Sequence, residues 1–107
     1  MDYWSVNDRA FAYWEADEYY YPATITEIEG DDIYIRYDTG EEEWTTADYL
    51  AEMKIEVGDA VEAKWSQDEA YYPAQVAETR GEEVRVIYDD SNEEWISLSN
   101  LRTWYEE

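Results

Sequence analysis

The sequence predicts an all-β protein made of two small barrels in tandem, and three observations support this fold class. When residues 6–50 are placed over residues 57–101 at a constant offset of 51, 18 of 45 positions are identical and no gap is needed. In both copies, short segments of alternating side chains are separated by turn residues. No long amphipathic helical pattern occurs in the chain. A repeat of this regularity indicates that each copy is one complete folding unit.

Each copy contains four segments that are typical of strands. They are residues 10–14, 21–28, 33–37 and 42–46 in the first copy, and residues 60–65, 72–78, 84–88 and 94–97 in the second. We expect residues 46–50 and 98–101 to include a single 3₁₀ turn before a last strand. Four to five short strands in about 50 residues form a small, strongly bent barrel.

The two predicted domains are residues 1–52 and 53–107. The linker between them, residues 51–56, is too short for independent tumbling, so we expect the barrels to pack together. The chain has no Cys, which excludes disulfide and zinc-thiolate staples, and its 6 Trp, 12 Tyr and 1 Phe are the alternative source of a core. We expect Trp44 and Trp95, which lie in the middle of a strand, to belong to the core or to pack between the barrels.

The formal net charge of -22 points to a basic partner. Residues 1–52 contain 15 acidic and 2 basic side chains, and residues 53–107 contain 14 and 5, so both copies are acidic. This distribution argues against binding nucleic acid through its phosphates, which requires clustered Lys and Arg. It favours a basic peptide or protein, such as a histone-like or Arg/Lys-rich tail. Solubility or adaptation to high salt is the alternative explanation of the acidity.

Several functional classes lack their sequence signals. With no His and no Cys, the usual general base and thiol nucleophile are missing, and no phosphate loop or dinucleotide motif occurs, so we expect neither an enzyme nor a cofactor. The acidic runs lack the alternating spacing of a calcium loop, so we expect no metal. No apolar run reaches the ~18 residues of a membrane span and no signal peptide precedes Val6, so we expect a cytoplasmic or nuclear monomer that is not secreted.

The second copy carries a recognisable series of motifs. They are Gly58-Asp59, Ala63, Trp65, an acidic turn at Asp68, Tyr72-Pro73-Ala74 and Val76, followed by Tyr88-Asp89-Asp90, Glu93-Glu94-Trp95 and Leu101-Arg102. The first copy has nearly the same series, with Asn7 in place of the glycine. This series resembles the Tudor domain family, and Agenet domains share much of it. The resemblance covers almost the whole chain and implies two SH3-like barrels.

The resemblance also implies a function, because Tudor barrels bind peptides, often through methylated Lys or Arg held in an aromatic cage. A methylated ammonium keeps its charge, and electron-rich ring faces attract it by cation–π forces while a nearby carboxylate adds Coulombic attraction. The implied cage residues are Trp14, Tyr21 and Tyr37 with Asp38 in the first copy, and Trp65, Tyr72 and Tyr88 with Asp89 and Asp90 in the second.

These residues are consistent with three functions. Many cages have a fourth aromatic after the third strand, where this chain has Thr39-Gly40-Glu41 and Ser91-Asn92-Glu93. Each implied cage therefore has three rings, and in so small a barrel these rings are also candidates for the core. The first reading is a reader of basic, methylated peptides. The second is an acidic DNA mimic that inhibits a basic nucleic-acid-binding protein, and the third is a structural adaptor whose own side chains fill both cages.

Overall fold

The described part of the chain, residues 3–104 of a computed structural model, forms two units with the same strand order. The first unit runs to Met53 and the second starts at Lys54. Residues 1–2 and 105–107, which the predicted domain ranges include, lie outside the described residues.

All ten strands are antiparallel to their neighbours. The first unit contains β1 (Arg9–Trp14), β2 (Tyr19–Glu29), β3 (Asp32–Tyr37), β4 (Glu42–Thr46), a 3₁₀ turn (Ala47–Tyr49) and β5 (Leu50–Glu52). The second contains β6 (Ala60–Lys64), β7 (Tyr71–Arg80), β8 (Glu83–Tyr88), β9 (Glu93–Ser97), a 3₁₀ turn (Leu98–Asn100) and β10 (Leu101–Arg102). The sheet orders are β4-β3-β2-β1-β5 and β10-β6-β7-β8-β9. The all-β prediction is confirmed, and every predicted strand coincides with an observed one.

The linker is shorter than the sequence suggested. Ala51 and Glu52 belong to β5, where they pair with Phe11 and Ala10 of β1. The prediction that the linker begins at residue 51 is therefore wrong, because backbone pairing with β1 places residues 51 and 52 in the first unit.

A bulge bends the long second strand of each unit. The register of β2 against β3 shifts between Ile25 and Glu27, and that of β7 against β8 shifts between Val76 and Glu78. A bulge increases local twist and bends the strand that carries it. As a result β2 pairs with β1 along its first half and with β3 along its second half, which lets one five-stranded sheet wrap around a core.

The core consists mainly of small and aliphatic side chains. Ile25 and Ile35 are fully buried in the first unit, and Val76 and Val86 occupy the same positions in the second. Their strands alternate buried and exposed residues, as period-2 strands do when one face is covered. Phe11 is the one phenylalanine of the chain, and it is fully buried on β1.

Trp44 and Trp95, which we expect either in the core or packed between the barrels, do not lie in the core. Trp44 is 48% exposed and Trp95 is 41% exposed, because both side chains are on the outer face of the fourth strand of their unit. Trp44 packs on Tyr34, its partner across the strands, with ring centroids 4.9 Å apart. Trp95 lies under the guanidinium of Arg80, 4.6 Å from the ring centroid. These rings therefore cover the sheet from outside.

Leu98 closes one end of the second barrel, and its truncation tests this role. The side chain is only 4% exposed, on the 3₁₀ turn before β10. We expect Leu98→Ala to lower the free energy of unfolding by about 2–5 kcal/mol, because it removes buried methyl groups and leaves a cavity. Urea denaturation measures this loss. Val57→Ala, at a site that is 65% exposed, is the control and should cost less than ~0.5 kcal/mol. Equal losses in the two variants would contradict the assigned role.

Candidate functional site

The three rings of the second copy meet because of where their strands begin and end. Trp65 directly follows β6, Tyr72 is the second residue of β7, and Tyr88 is the last residue of β8. Since neighbouring strands are antiparallel, the end of β6, the start of β7 and the end of β8 lie at the same edge of the barrel. The β6–β7 hairpin and β8 therefore place all three rings at the same edge of the barrel.

These rings line an open cavity of about 370 Å³, which we call the cage cavity. The Trp65 and Tyr88 rings are stacked, with centroids 5.1 Å apart and planes at 29°. The Trp65 and Tyr72 rings meet edge to face at 6.2 Å. The complete lining is Trp65, Gln67, Asp68, Tyr72, Pro73, Tyr88, Asp89 and Asp90. All five residues that the resemblance assigned to the second cage thus face one cavity.

Tyr88 is the floor of the cage cavity, since its side chain is only 4% exposed. Its hydroxyl donates to Oε2 of Glu94 at 2.8 Å, and the other oxygen of Glu94 accepts from the Ser66 hydroxyl at 2.8 Å. One carboxylate on β9 therefore holds both the floor and the loop that carries Trp65. Burial, followed by the hydrogen bond to Glu94, raises the pKa of Tyr88 well above its usual range.

Asp68 fixes the turn and the second ring. Its carboxylate accepts from the backbone N–H of Ala70 at 3.0 Å and from the Tyr72 hydroxyl at 2.5 Å. The hydrogen bond to Tyr72 lowers the pKa of Asp68, and the same bond raises the pKa of Tyr72. Glu69, at φ 59, adopts the left-handed conformation that closes the turn, and its N–H donates to the carbonyl of Trp65 at 2.8 Å. The turn therefore sets the distance between Trp65 and Tyr72.

Carboxylates form one side of the rim of the cage cavity. Asp89 and Asp90 follow β8 directly and are both exposed. Asp90 accepts from the backbone N–H and the side-chain amide of Asn92, at 3.1 and 3.0 Å. The turn is thereby held so that negative charge lies next to the open ring faces.

The first copy repeats the ring-positioning bonds but arranges its rings differently. The Tyr21 hydroxyl donates to Asp17, and the Tyr37 hydroxyl donates to Oε2 of Glu43 at 2.7 Å. The rings of Trp14 and Tyr37 meet edge to face, at 5.2 Å and 89°, rather than stacked. Tyr37 is 3% exposed and belongs to the core cluster of its unit, where Trp14 and Tyr21 pack on it.

The acidic residue of the first copy is already paired within the chain. Arg9 makes two bonds to Asp38, at 2.6 and 2.8 Å, and a third to the Thr24 hydroxyl at 3.0 Å. The position equivalent to Arg9 in the second copy is Ala60, which brings no cation to Asp89. The two sites thus share a scaffold but differ in charge.

Sequence reasoning did not assign the residues that position the rings. Asp17 and Asp68 lie four residues before the tyrosine they hold, and Glu43 and Glu94 lie six residues after theirs. Each pair is identical in the two copies, and this identity is the sequence signal that could have identified them. Gln67, which also lines the cage cavity, differs from its counterpart Ala16 and left no such signal.

The fold is that of tandem Tudor domains. The crystal structure of Crb2 tandem Tudor domains aligns with 96% of this chain and 81% of its own, with a TM-score of 0.66 and 14% identity. The ADCP1 tandem Agenet domain 3-4 and Arabidopsis thaliana AGDP1 AGD34 each align with 95% of this chain at 12% identity, with TM-scores of 0.44 and 0.49 and with 81% and 83% of their own chains aligned. No protein-family model matches the sequence, and no curated protein does. At this identity the likeness to Crb2 is one of fold.

Within residues 3–104, no group of three or more His, Cys, Asp and Glu side chains is arranged to hold a metal ion. In the same part of the chain, no helix has the length and apolarity to cross a membrane.

The dependence of stability on alkaline pH tests the burial of Tyr37 and Tyr88. Burial raises the pKa of Tyr37 and Tyr88 in the folded state above the value of ~10 for an unfolded chain. Above pH ~10 the unfolded chain releases these protons while the folded chain retains them, so the free energy of unfolding falls as pH rises. We expect denaturant melts between pH 8 and pH 12, in about one-unit steps, to show this fall. Tyr88→Phe should make this fall shallower, because it removes one of the two buried hydroxyls; a slope equal to that of the parent chain would contradict this account.

Proposed function

We propose that the chain is a protein-interaction reader that binds basic peptides, with the cage cavity of the second copy as its principal site for methylated Lys or Arg. The observation that carries this proposal is the convergence of three rings and three carboxylates on one open cavity of about 370 Å³. That volume is near the lower end of the ~300–1,000 Å³ of small-ligand sites. It suits one side chain of a peptide rather than a large ligand.

The chemistry of the lining favours a methylated cation. The rings of Trp65, Tyr72 and Tyr88 line the cavity, and the negative π potential of an aromatic ring face attracts a weakly hydrated cation. Asp89 and Asp90 on the rim add Coulombic attraction and accept a hydrogen bond from any N–H that remains on the ligand. The net charge of -22 steers a basic partner toward the protein at a rate that salt reduces.

The alternative, an acidic mimic of DNA, uses the carboxylates and has no role for the rings. The carboxylates of Asp68, Asp89 and Asp90 surround an aromatic cavity, and this arrangement favours the reader. The two functions also differ in their requirements. A reader distinguishes methylation states and depends on Trp65, whereas a mimic binds a basic protein surface regardless of either.

Replacing Trp65 tests the reader directly. We expect Trp65→Ala to weaken the binding of a methylated Lys or Arg peptide by roughly ten-fold, because it removes the largest ring face, worth about 0.5–2 kcal/mol per cation–π contact. Isothermal titration against unmodified and mono-, di- and trimethylated basic peptides, at low and high salt, measures the loss and identifies the preferred methylation state.

Trp95→Ala is the matched control for this test. It removes the same side chain from the same barrel, on the outer face of β9 and outside the cage cavity, and should leave affinity unchanged. Circular dichroism checks that both variants fold. Should the folded Trp65→Ala protein bind every peptide as tightly as the parent chain does, the cage proposal fails and the mimic is favoured. Unfolding of Trp65→Ala would instead show that this ring is structural.

Arg9 should make the first copy the weaker site. It neutralises Asp38 and places a positive charge where a cationic ligand would approach. In a Trp65→Ala background, which silences the second site, we expect Arg9→Ala to strengthen binding of the methylated peptide a few-fold, since partly exposed charge pairs are worth about 0.2–1 kcal/mol. Arg36→Ala changes the net charge equally from the exposed face of β3 and is the control. Equal gains in the two variants would mean that only net charge matters.

A further inference from the structure

The first barrel has a cavity at the end opposite Trp14, Tyr21 and Tyr37. This cavity, which we call the turn cavity, has a volume of about 400 Å³. Its walls come from the segment before β1 (Tyr3 and Trp4), from the β2–β3 turn (Asp31) and from the 3₁₀ turn (Ala47 and Asp48). The first cage lies at the start of β2 and the end of β3, whereas the turn cavity lies at the end of β2 and the start of β3. The two sites are therefore separated by the length of these strands.

A difference between the copies explains why this cavity exists. The position equivalent to Leu98 in the first copy is Ala47. Leu98 is buried and closes its barrel, while the 3₁₀ turn that contains Ala47 has no buried residue. Replacing leucine by alanine removes three carbon atoms at the point where the turn crosses the barrel end. The first barrel is consequently open where the second is filled.

The lining of the turn cavity combines rings, an aliphatic floor and negative charge. The rings of Tyr3 and Trp4 meet edge to face with centroids 5.2 Å apart, and Tyr3 is 66% exposed. Ile33 lies in the floor, and Asp31 and Asp48 are exposed on the rim. Among the described residues that line it there is no basic side chain. Such a surface is complementary to a cation that has a flat apolar face and an aliphatic stem.

The chain already shows twice which cation it places against such a combination. The guanidinium of Arg102 lies 4.3 Å from the centroid of the Tyr71 ring and bonds to Glu62 at 2.6 Å. In the same way Arg80 lies over Trp95 and bonds to Glu83 at 3.2 Å. In each case a planar guanidinium covers a ring face while its N–H groups reach a carboxylate, which the compact ammonium of lysine does less well.

We propose that the turn cavity binds an arginine side chain of a polypeptide partner. The guanidinium would lie on the Trp4 or Tyr3 ring and donate to Asp31 and Asp48, while the aliphatic stem covers the isoleucine floor. This site is separate from the cage cavity and stands independently of the reader function, because its residues are all in the first barrel and no methyl group is required.

Amide chemical-shift titration of the full chain tests this site. The probe is the tripeptide acetyl-Gly-Arg-Gly-amide at millimolar concentration, with the corresponding Lys and Leu tripeptides as comparisons. We expect saturable shifts at the amides of Gly30, Asp31, Ala47 and Asp48 and at the Trp4 indole N–H, with the Lys peptide at least three-fold weaker. Absence of saturable shifts at these groups, or equal binding of the Lys or Leu peptide, would overturn the proposal.

Variants separate volume from charge. Ala47→Leu, copied from the second barrel, should fill the turn cavity and weaken the arginine tripeptide at least five-fold. Asp48→Asn keeps the space and removes one charge, so it should weaken binding about two- to five-fold; Glu15→Gln, at the cage end of the same barrel, should not. Unchanged affinity in a folded Ala47→Leu protein, or in Asp48→Asn if the first variant does not fold, would overturn the site.

A further variant keeps this proposal distinct from the reader function. Trp65→Ala should leave the shifts at the turn cavity intact. Loss of these shifts in that variant would assign the arginine peptide to the cage cavity and overturn the proposal. If the cage cavity does not bind methylated peptides, the shifts at the turn cavity should still be observed.

Discussion

A barrel of about 50 residues has too few side chains to separate its core from its binding surface, and this constraint governs both copies. The buried aliphatic residues do not fill the core of either barrel alone. Tyr37 and Tyr88 therefore belong to the buried core of their units, and Tyr88 also forms the floor of the cage cavity. A residue in that position has to satisfy a buried hydroxyl, and Glu43 and Glu94 on the fourth strand do so. The same bonds stabilise the fold and hold the site in place.

The tandem repeat preserves this scaffold while a few substitutions change what each copy presents. Strand order, bulge position and ring-positioning bonds are the same in both. Arg9 in the first copy corresponds to Ala60 in the second, and this difference changes the charge beside the cage residues. Ala47 in the first copy corresponds to Leu98 in the second, and this difference changes the space at the other end of the barrel. Neither substitution disturbs a strand, because Arg9 and Ala60 both begin a strand, and Ala47 and Leu98 both begin a 3₁₀ turn. Duplication has thus produced two barrels with one architecture and unequal surfaces.

Much of the fold could be predicted from the sequence because its signals are local. Period-2 alternation and turn residues located all eight principal strands, and the repeat supplied each assignment twice. Trp44 and Trp95 were misassigned because a large aromatic in a strand normally signals burial, and local pattern does not reveal which face is already filled by isoleucine and valine. The end of β5 was missed because its pairing with β1 joins residues far apart in the chain.

The candidate site was predicted in part, for a similar reason. The aromatic and acidic residues of the second copy could be named from motif resemblance alone, and the structure groups them around one cavity. The bond between Arg9 and Asp38 joins β1 to the residue after β3, and the opening beside Ala47 depends on what the turn does not fill. Such features arise from tertiary packing, which a local sequence motif does not predict.

The tyrosine hydroxyls of the cage cavity have a consequence for selectivity. Tyr72 and Tyr88 donate their O–H groups to Asp68 and Glu94, so these hydroxyl protons are already used within the protein. An ammonium that carries several N–H groups needs an acceptor for each of them when it gives up its bound water, whereas alkyl substituents need none. In the proposed reader, the cavity would therefore select among cations by how strongly each holds its hydration shell, through the cost of dehydration rather than through shape.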